Sequence, residues 1–370
     1  MKLFLVVLVL VGLTGCSDGV VDPADHQPAS VRTMYTPPAS APAPGALYAR
    51  ALQLKMGRSK GNLLATFEQY TSGKPVFPIY RSTDDGKHWK RDSTIVDTRN
   101  GWGLRYQPFL YELPTALGSM RAGTVLAAGN SIPNDLSQTQ LDLYASGDQG
   151  KSWTFVSHIA AGGRAIPNNG ETPVWEPVLV ETDGKLIVYY SDQRDPKHGQ
   201  KLDHQTSTDG IHWAQPVDDV AVDDPNARPG MPTVAHLGNG EWAMTYEYGG
   251  APEANFAAYI KFAKDPEDFG SAKGHVIEAD GLIPTSSPYV VWADTGGDGK
   301  LIVSTGGSPL LFVSTKYGAS GSWKARPTAI PQGYTRSLVV LSGNQQLFGI
   351  SAGAIGAQHN TVKYATDTLH

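Results

Sequence analysis

Two glutamates carry the chemistry open to this chain. Glu176 opens an apolar strand in Trp175-Glu176-Pro177-Val178, and Glu247 closes another in Met244-Thr245-Tyr246-Glu247-Tyr248. Between them runs Ser191-Asp192-Gln193-Arg194-Asp195, a dense polar stretch bounded by β-branched and aromatic runs. Two carboxyls around one reacting atom do complementary work: one transfers a proton, while the other attacks or activates water. Across a glycosidic bond their separation sets the outcome. About 5–5.5 Å gives retention and about 6.5–9.5 Å inversion. Sequence spacing leaves that choice open, along with which glutamate takes which part.

The elements around them must bring the two together. Leu186 to Asp192 follows the Trp175 strand after Thr182-Asp183-Gly184-Lys185, and an Asp-Gly turn between apolar runs predicts a hairpin. That hairpin places Glu176 and Asp192 at the same rim. The same pattern, an opener often followed by proline, a strand, a Gly-rich turn and a second strand, recurs six times. The copies open at Tyr48, Tyr106, Trp175, Gly230, Ser287 and Tyr334. Repeats about fifty to seventy residues apart suit a six-bladed β-propeller with four antiparallel strands per blade. Its funnel then gathers Arg50, Gln107, Glu176, Met231, Ser287, Tyr334 and Arg336 from the openers. Glu68, Asn130, Asp192, Glu247, Gly306 and Ser351 come from the ends of second strands, and Arg194 and Arg228 from nearby loops. Carboxylates, arginines and aromatic faces around a funnel suit an oligosaccharide.

A second repeat reads S-x-D-x-G-x-x-W at Ser82–Trp89 and Ser146–Trp153. Ser207–Trp213 is one residue shorter, and Ser314–Trp323 is degenerate. These resemble the Asp-boxes of sialidase-type propellers. Aspartate caps nearby amides, glycine allows the tight turn, and tryptophan anchors it. Asp84, Asp148 and Asp209 are therefore expected to be structural. The last unit lacks an outer strand, and residues 30–35 are expected to supply it, closing the all-β ring.

The net charge is −5 over 370 residues, which speaks against a nucleic-acid partner. Residues 1–16 combine Lys2, a short apolar run and Leu13-Thr14-Gly15-Cys16, similar to a bacterial lipobox. Cys16, the single cysteine, is the expected lipid attachment site, and residues 17–45, rich in Pro and Ala, the tether to a catalytic domain of 46–370. This describes an exported lipoprotein, in the periplasm, at the outer membrane or on the cell surface. The scattered histidines match no metal-ligand spacing, so neither metal nor cofactor is expected.

Glu176 in Trp-Glu-Pro, the Tyr190–Pro196 run, Gly199-Gln200-Lys201-Leu202 with His204-Gln205-Thr206, and Tyr246-Glu247-Tyr248 together resemble the exo-α-1,5-L-arabinanases of glycoside hydrolase family 93. The likeness runs from about Tyr48 to the C-terminus. It implies a sialidase-like six-bladed propeller that releases arabinobiose, with retention, from the non-reducing end of linear arabinan. On this resemblance Glu176 is the nucleophile, Glu247 the acid/base, and Tyr334 the tyrosine beside the pair. Arg50, Gln107, Asp192, Arg194, Arg228, Ser287 and Arg336 are the expected substrate contacts, in a monomer. Two other readings compete. A sialidase would use a tyrosine nucleophile, with Arg50, Arg228 and Arg336 gripping a carboxylate. A non-catalytic glycan-binding propeller would lack one of the paired carboxyls.

Overall fold

The computed structural model describes residues 30–369. The expected signal segment, Cys16 and the expected tether up to residue 29 lie outside the described residues. Among those described, 24 strands form six four-stranded antiparallel sheets, with no helix. Five sheets run in sequence order from the inner to the outer strand. Their inner strands are Ala46–Gln53, Leu104–Glu112, Val174–Thr182, Arg228–His236 and Tyr289–Ala293, which begin blades 1 to 5.

Blade 6 begins with Ser337–Val340 and takes its outer strand from Arg32–Tyr35, which pairs antiparallel with Val362–Thr368. The ring is thus closed non-covalently by the N-terminal strand, as expected, and that strand covers the edge the last blade would otherwise expose. The next ten residues lie against the ring. Ala41 is buried, the Asn360 amide donates to Pro44 O and the Tyr70 amide to Gly45 O. From residue 30 onward the stretch expected to be a tether is packed against the ring.

Alternation along the strands explains the cores. Each blade buries both faces against its neighbours, so an apolar cluster fills each of the six interfaces. Between blades 2 and 3, Leu126, Leu141 and Leu143 meet Leu186, Val188 and Tyr190. At the seam, Ala49, Leu63 and Phe67 of blade 1 pack on Phe348, Ile350 and Tyr364 of blade 6. Each fully buried Leu or Phe contributes about 1.5–3 kcal/mol, so the seam is held mainly by burial.

The Asp-boxes are turn staples. In the first, Ser82 Oγ donates to Asp84 Oδ1 at 2.8 Å, and the Gly86 and His88 amides donate to Ser82 Oγ and Asp84 Oδ1. The tryptophans of the next two donate across to the preceding blade, Trp153 to Ser93 Oγ and Trp213 to Ser157 Oγ. The degenerate copy keeps the Gly318 amide on Ser314 Oγ but has no aspartate.

Candidate active site

Four blades break their inner ladder at the same place. In blades 1 to 4 the register between inner and second strands slips at Leu47/Arg50, Arg105/Phe109, Trp175/Val178 and Gly230/Thr233. Each slip is a bulge, and each carries a non-glycine residue at positive φ: Tyr48 (53°), Gln107 (42°), Glu176 (66°) and Met231 (57°). Ser287 (45°) and Thr335 (60°) hold the matching positions in blades 5 and 6. Such residues cost on the order of 1–3 kcal/mol each and re-aim their side chains. Proline follows four of them, at positions 108, 177, 232 and 288. A broken ladder does not need the missing N–H.

The bulges free amides that a flat ladder would have paired, and carboxylates take them up. Glu176 Oε2 accepts from the Met231 amide of the next blade and from Ser191 Oγ, both at 2.5 Å. Glu247 Oε2 accepts from the Ser287 amide of blade 5 at 2.6 Å. A Cβ on Gly230 would lie 3.5 Å from Glu176 Oε2 and 3.7 Å from Glu247 Oε1. Those two oxygens are therefore no more than about 7 Å apart, within the reach of paired glycosidase carboxyls.

Their environments differ. Burial raises the pKa of both. Glu176 is pulled back by hydrogen bonds from Ser191, Met231 and Gln107 and by the Arg228 charge. Glu247 is pushed up to about 8, first by burial and then by the charge of Glu176, with only the Ser287 amide and Arg228 opposing. The arrangement favours an ionised Glu176 beside a protonated Glu247.

A cavity of about 350 Å³ opens over the pair. One wall is a run of edge-to-face rings, Tyr334–Tyr48–Tyr106–Trp175, with neighbouring centroids 5.6–5.7 Å apart. Arg228 borders it opposite, held by Asn169 Oδ1, Gln193 Oε1 and Gln200 Oε1 at 2.9–3.0 Å. Gln193 also accepts from Trp175 Nε1, so it couples the aromatic wall to the arginine. Ala165 and Pro167 wall the cavity between blades 2 and 3, and Phe256 and Ile355 stand at its rim.

Of the residues expected at the site, Glu176, Glu247, Gln107, Arg228 and Tyr334 line the cavity. Ser287 enters through its backbone amide. Asp192 does not line it. The bulge pairs Trp175 with Ser191 and Val174 with Asp192, so Ser191 reaches Glu176. One residue further along a strand points to the opposite face, where Asp192 binds the Arg194 guanidinium and takes that arginine out of the site as well. Arg50 lies two residues beyond the bulge, buried at the floor with its guanidinium 5.2 Å from the Tyr289 ring centroid and donating to Thr335 O. Arg336 is fully buried away from the cavity and donates to the carbonyls of Ser308, Pro309, Leu310 and Ile330. Sequence reasoning missed Ser191, Tyr48, Tyr106 and Phe256 as site-forming residues. The aromatic residues had a signal, since Tyr48 and Tyr106 begin repeat units.

No family model and no curated protein matches the chain. Solved structures do. An α-L-arabinanase of Penicillium chrysogenum, complexed with arabinobiose, is 46% identical, with 92% of this chain and 98% of that chain covered and a TM-score of 0.88. A family GH93 α-L-arabinofuranosidase of Fusarium graminearum, also with arabinobiose, is 45% identical over 92% of this chain and 97% of that one, with a TM-score of 0.89. A sialidase of Streptococcus pneumoniae, at 12% identity over 91% of this chain and 70% of that one with a TM-score of 0.62, shares the fold alone. With nearly half its residues shared with enzymes matched over almost their whole length, the chain belongs to glycoside hydrolase family 93.

Proposed function

We propose that the protein is a retaining, exo-acting glycoside hydrolase that releases arabinobiose from the non-reducing end of α-1,5-linked L-arabinan. The observation that carries this is the Glu176–Glu247 pair facing across Gly230 under an aromatic wall. The arabinanase and arabinofuranosidase it resembles are each described with arabinobiose. Ionised Glu176 attacks the anomeric carbon while Glu247 gives its proton to the departing oxygen, leaving a glycosyl ester on Glu176 and a free chain end. Glu247, now ionised, takes a proton from water as that water attacks the same carbon, and Glu176 is released. Arg228 balances charge at both carboxyls.

Exo action is supported by the closed side of the cavity. Asn169 donates to Pro225 O and accepts from Arg228, which ties the loop beside Ala165 and Pro167 across blades 3 and 4. The sialidase alternative is weakened because Arg336 and Arg50 do not line the cavity with Arg228. Burial and the two glutamate charges also keep the Tyr334 hydroxyl protonated. The binding-only alternative expects a missing carboxyl, and both are present.

Product analysis on debranched arabinan tests the reading. A disaccharide is expected as the sole early product, with retained configuration by NMR; sialic acid release, monosaccharide as the first product, or binding without turnover would overturn it. Export and lipid anchoring at Cys16 of a monomeric enzyme complete the proposal, supported by the lipobox-like Leu13-Thr14-Gly15-Cys16. Radiolabelled palmitate should be incorporated by the unaltered chain and not by Cys16→Ala.

A further inference from the structure

A second cavity, about 430 Å³, adjoins the first over blades 5 and 6 and shares Tyr334 and Ile355 with it. It is floored by Gly306, Gly307, Gly333 and Gly353, with Ala354 and Gln332 at its sides. The strand register sets these two blades apart from the other four. In blades 1 to 4 the second-strand residue facing the bulge is Glu68, Asn130, Ser191 or Glu247. Counting two residues on from the pairs Tyr289↔Ser304 and Ser337↔Ile350, the same position is Gly306 in blade 5 and Ala352 in blade 6. Four blades carry a polar side chain at this position, and two carry nothing larger than a methyl group.

The open side is also the side of the proton donor. Glu247 is tied to blade 5 through the Ser287 amide, whereas Glu176 is tied within blade 3 and to Met231. An acid must stand beside the oxygen it protonates, so the departing part of the substrate leaves toward blades 5 and 6. The released part then lies toward the walled side by Ala165 and Pro167.

We propose that this trough binds the departing chain beyond the cleaved bond, accommodating further neutral arabinofuranosyl units. This rests on the hydrolase reading above. No Asp, Glu, Lys, Arg or His lines the trough, so an uncharged chain suits it and a uronic or sialic acid polymer does not. Ile355, 61% exposed at the boundary of the two cavities, offers an apolar face to the C–H side of a sugar. The Gly306 carbonyl already accepts from Gln332 Nε2, which holds that side chain over the floor.

The test compares arabinotriose, arabinopentaose and an aryl arabinobioside whose leaving group ends short of blade 6. In the unaltered protein kcat/KM is expected to rise about tenfold from triose to pentaose, equivalent to about 1.4 kcal/mol of added binding. Ala354→Trp should fill the trough and erase that rise while leaving the aryl substrate unchanged. Ala354 is exposed and contributes only backbone groups, bonded to Asn360, so the substitution does not disturb the core. Ala354→Ser should keep the rise. No length dependence in the unaltered protein, or equal losses on aryl and long substrates in Ala354→Trp, would overturn the trough. Turnover of none of the three substrates would defeat the hydrolase reading itself, and the trough with it.

Discussion

Glu176 and Glu247 face each other across a glycine. The Cβ that Gly230 lacks would lie 3.5 Å from one carboxyl and 3.7 Å from the other, and 2.7 Å from Gln200 Nε2. That Cβ would sit in ordinary contact with both acids but would crowd Gln200, which holds Arg228 beside them. Gly230→Ala should push Gln200 aside and with it Arg228, which Gln200 Oε1 holds beside the pair. The expected result is a loss of kcat on the order of 10²-fold, the scale of a misplaced catalytic group. The melting temperature should change by only a few degrees. Steady-state kinetics with a thermal melt checks both.

Removing Glu176 should separate its role from that of Glu247. Glu176→Ala is expected to lose activity on the order of 10⁴-fold. Added azide should then restore turnover by entering the vacated space and yielding a glycosyl azide of inverted configuration. Glu247→Ala should instead give an azide product of retained configuration, because its nucleophile is intact. Mass spectrometry and NMR of the products distinguish the two.

The raised pKa of Glu247, about 8, has a consequence for activity and another for stability. Activity on arabinan should decline as pH rises through about 8, where the acid loses its proton, and decline again on the acid side as Glu176 becomes protonated. For stability, the folded protein holds this proton between the ordinary carboxyl pKa of 4.5 and about 8, where the unfolded chain has lost it. The folded state binds more protons in that window, so this group makes stability fall as pH rises across it. Glu247→Gln removes the effect. The melting temperature of the variant relative to the unaltered protein should climb from pH 4.5 to about 8 and then level off. A pH-independent difference would show that the buried glutamate does not hold the extra proton.

Arg336 is predicted to matter for folding rather than for substrate. Its guanidinium is fully buried and donates to four carbonyls, three in the blade 5 turn at 308–310 and one, Ile330, in the connection to blade 6. Arg336→Lys keeps a charge but cannot span that fork. Hydrogen bonds involving a charged group contribute about 1.5–3 kcal/mol each, so a loss of about 3 kcal/mol is expected in denaturant unfolding, with KM for arabino-oligosaccharides unchanged. A raised KM at unchanged stability would return Arg336 to the binding site.

Asp148 should behave as a staple. It accepts from Ser146 Oγ, from the Lys151 and Ser152 amides and from Ser152 Oγ, and these bonds hold its pKa down to about 2. Asp148→Ala is expected to cost about 1 kcal/mol and to leave kcat/KM unaltered. A depressed carboxyl stabilises the fold above its unfolded pKa and loses that contribution as pH falls toward about 2. The penalty of the substitution should therefore shrink in acid, which melts at several pH values would reveal.

The sequence by itself determined the ring. Repeat spacing, Asp-Gly turns and three good Asp-boxes are local signals, because a turn is specified by the residues within it, and they were enough for six blades and a borrowed outer strand. It also singled out Glu176 and Glu247, because Trp-Glu-Pro and Tyr-Glu-Tyr are short contiguous motifs that resemble the family's own. Only the tertiary structure decided which neighbours those glutamates have. A bulge inserts residues without leaving a mark in the hydrophobic pattern, and with a two-residue period one step exchanges the faces of a strand. That step replaced Asp192 with Ser191 at Glu176, put Tyr48 rather than Arg50 at the rim, and left Arg336 among backbone carbonyls. The split between the two acids was equally hidden. It arises from amides freed in the following blades and from one charge beside another, which belong to the assembled ring and to no single stretch of chain.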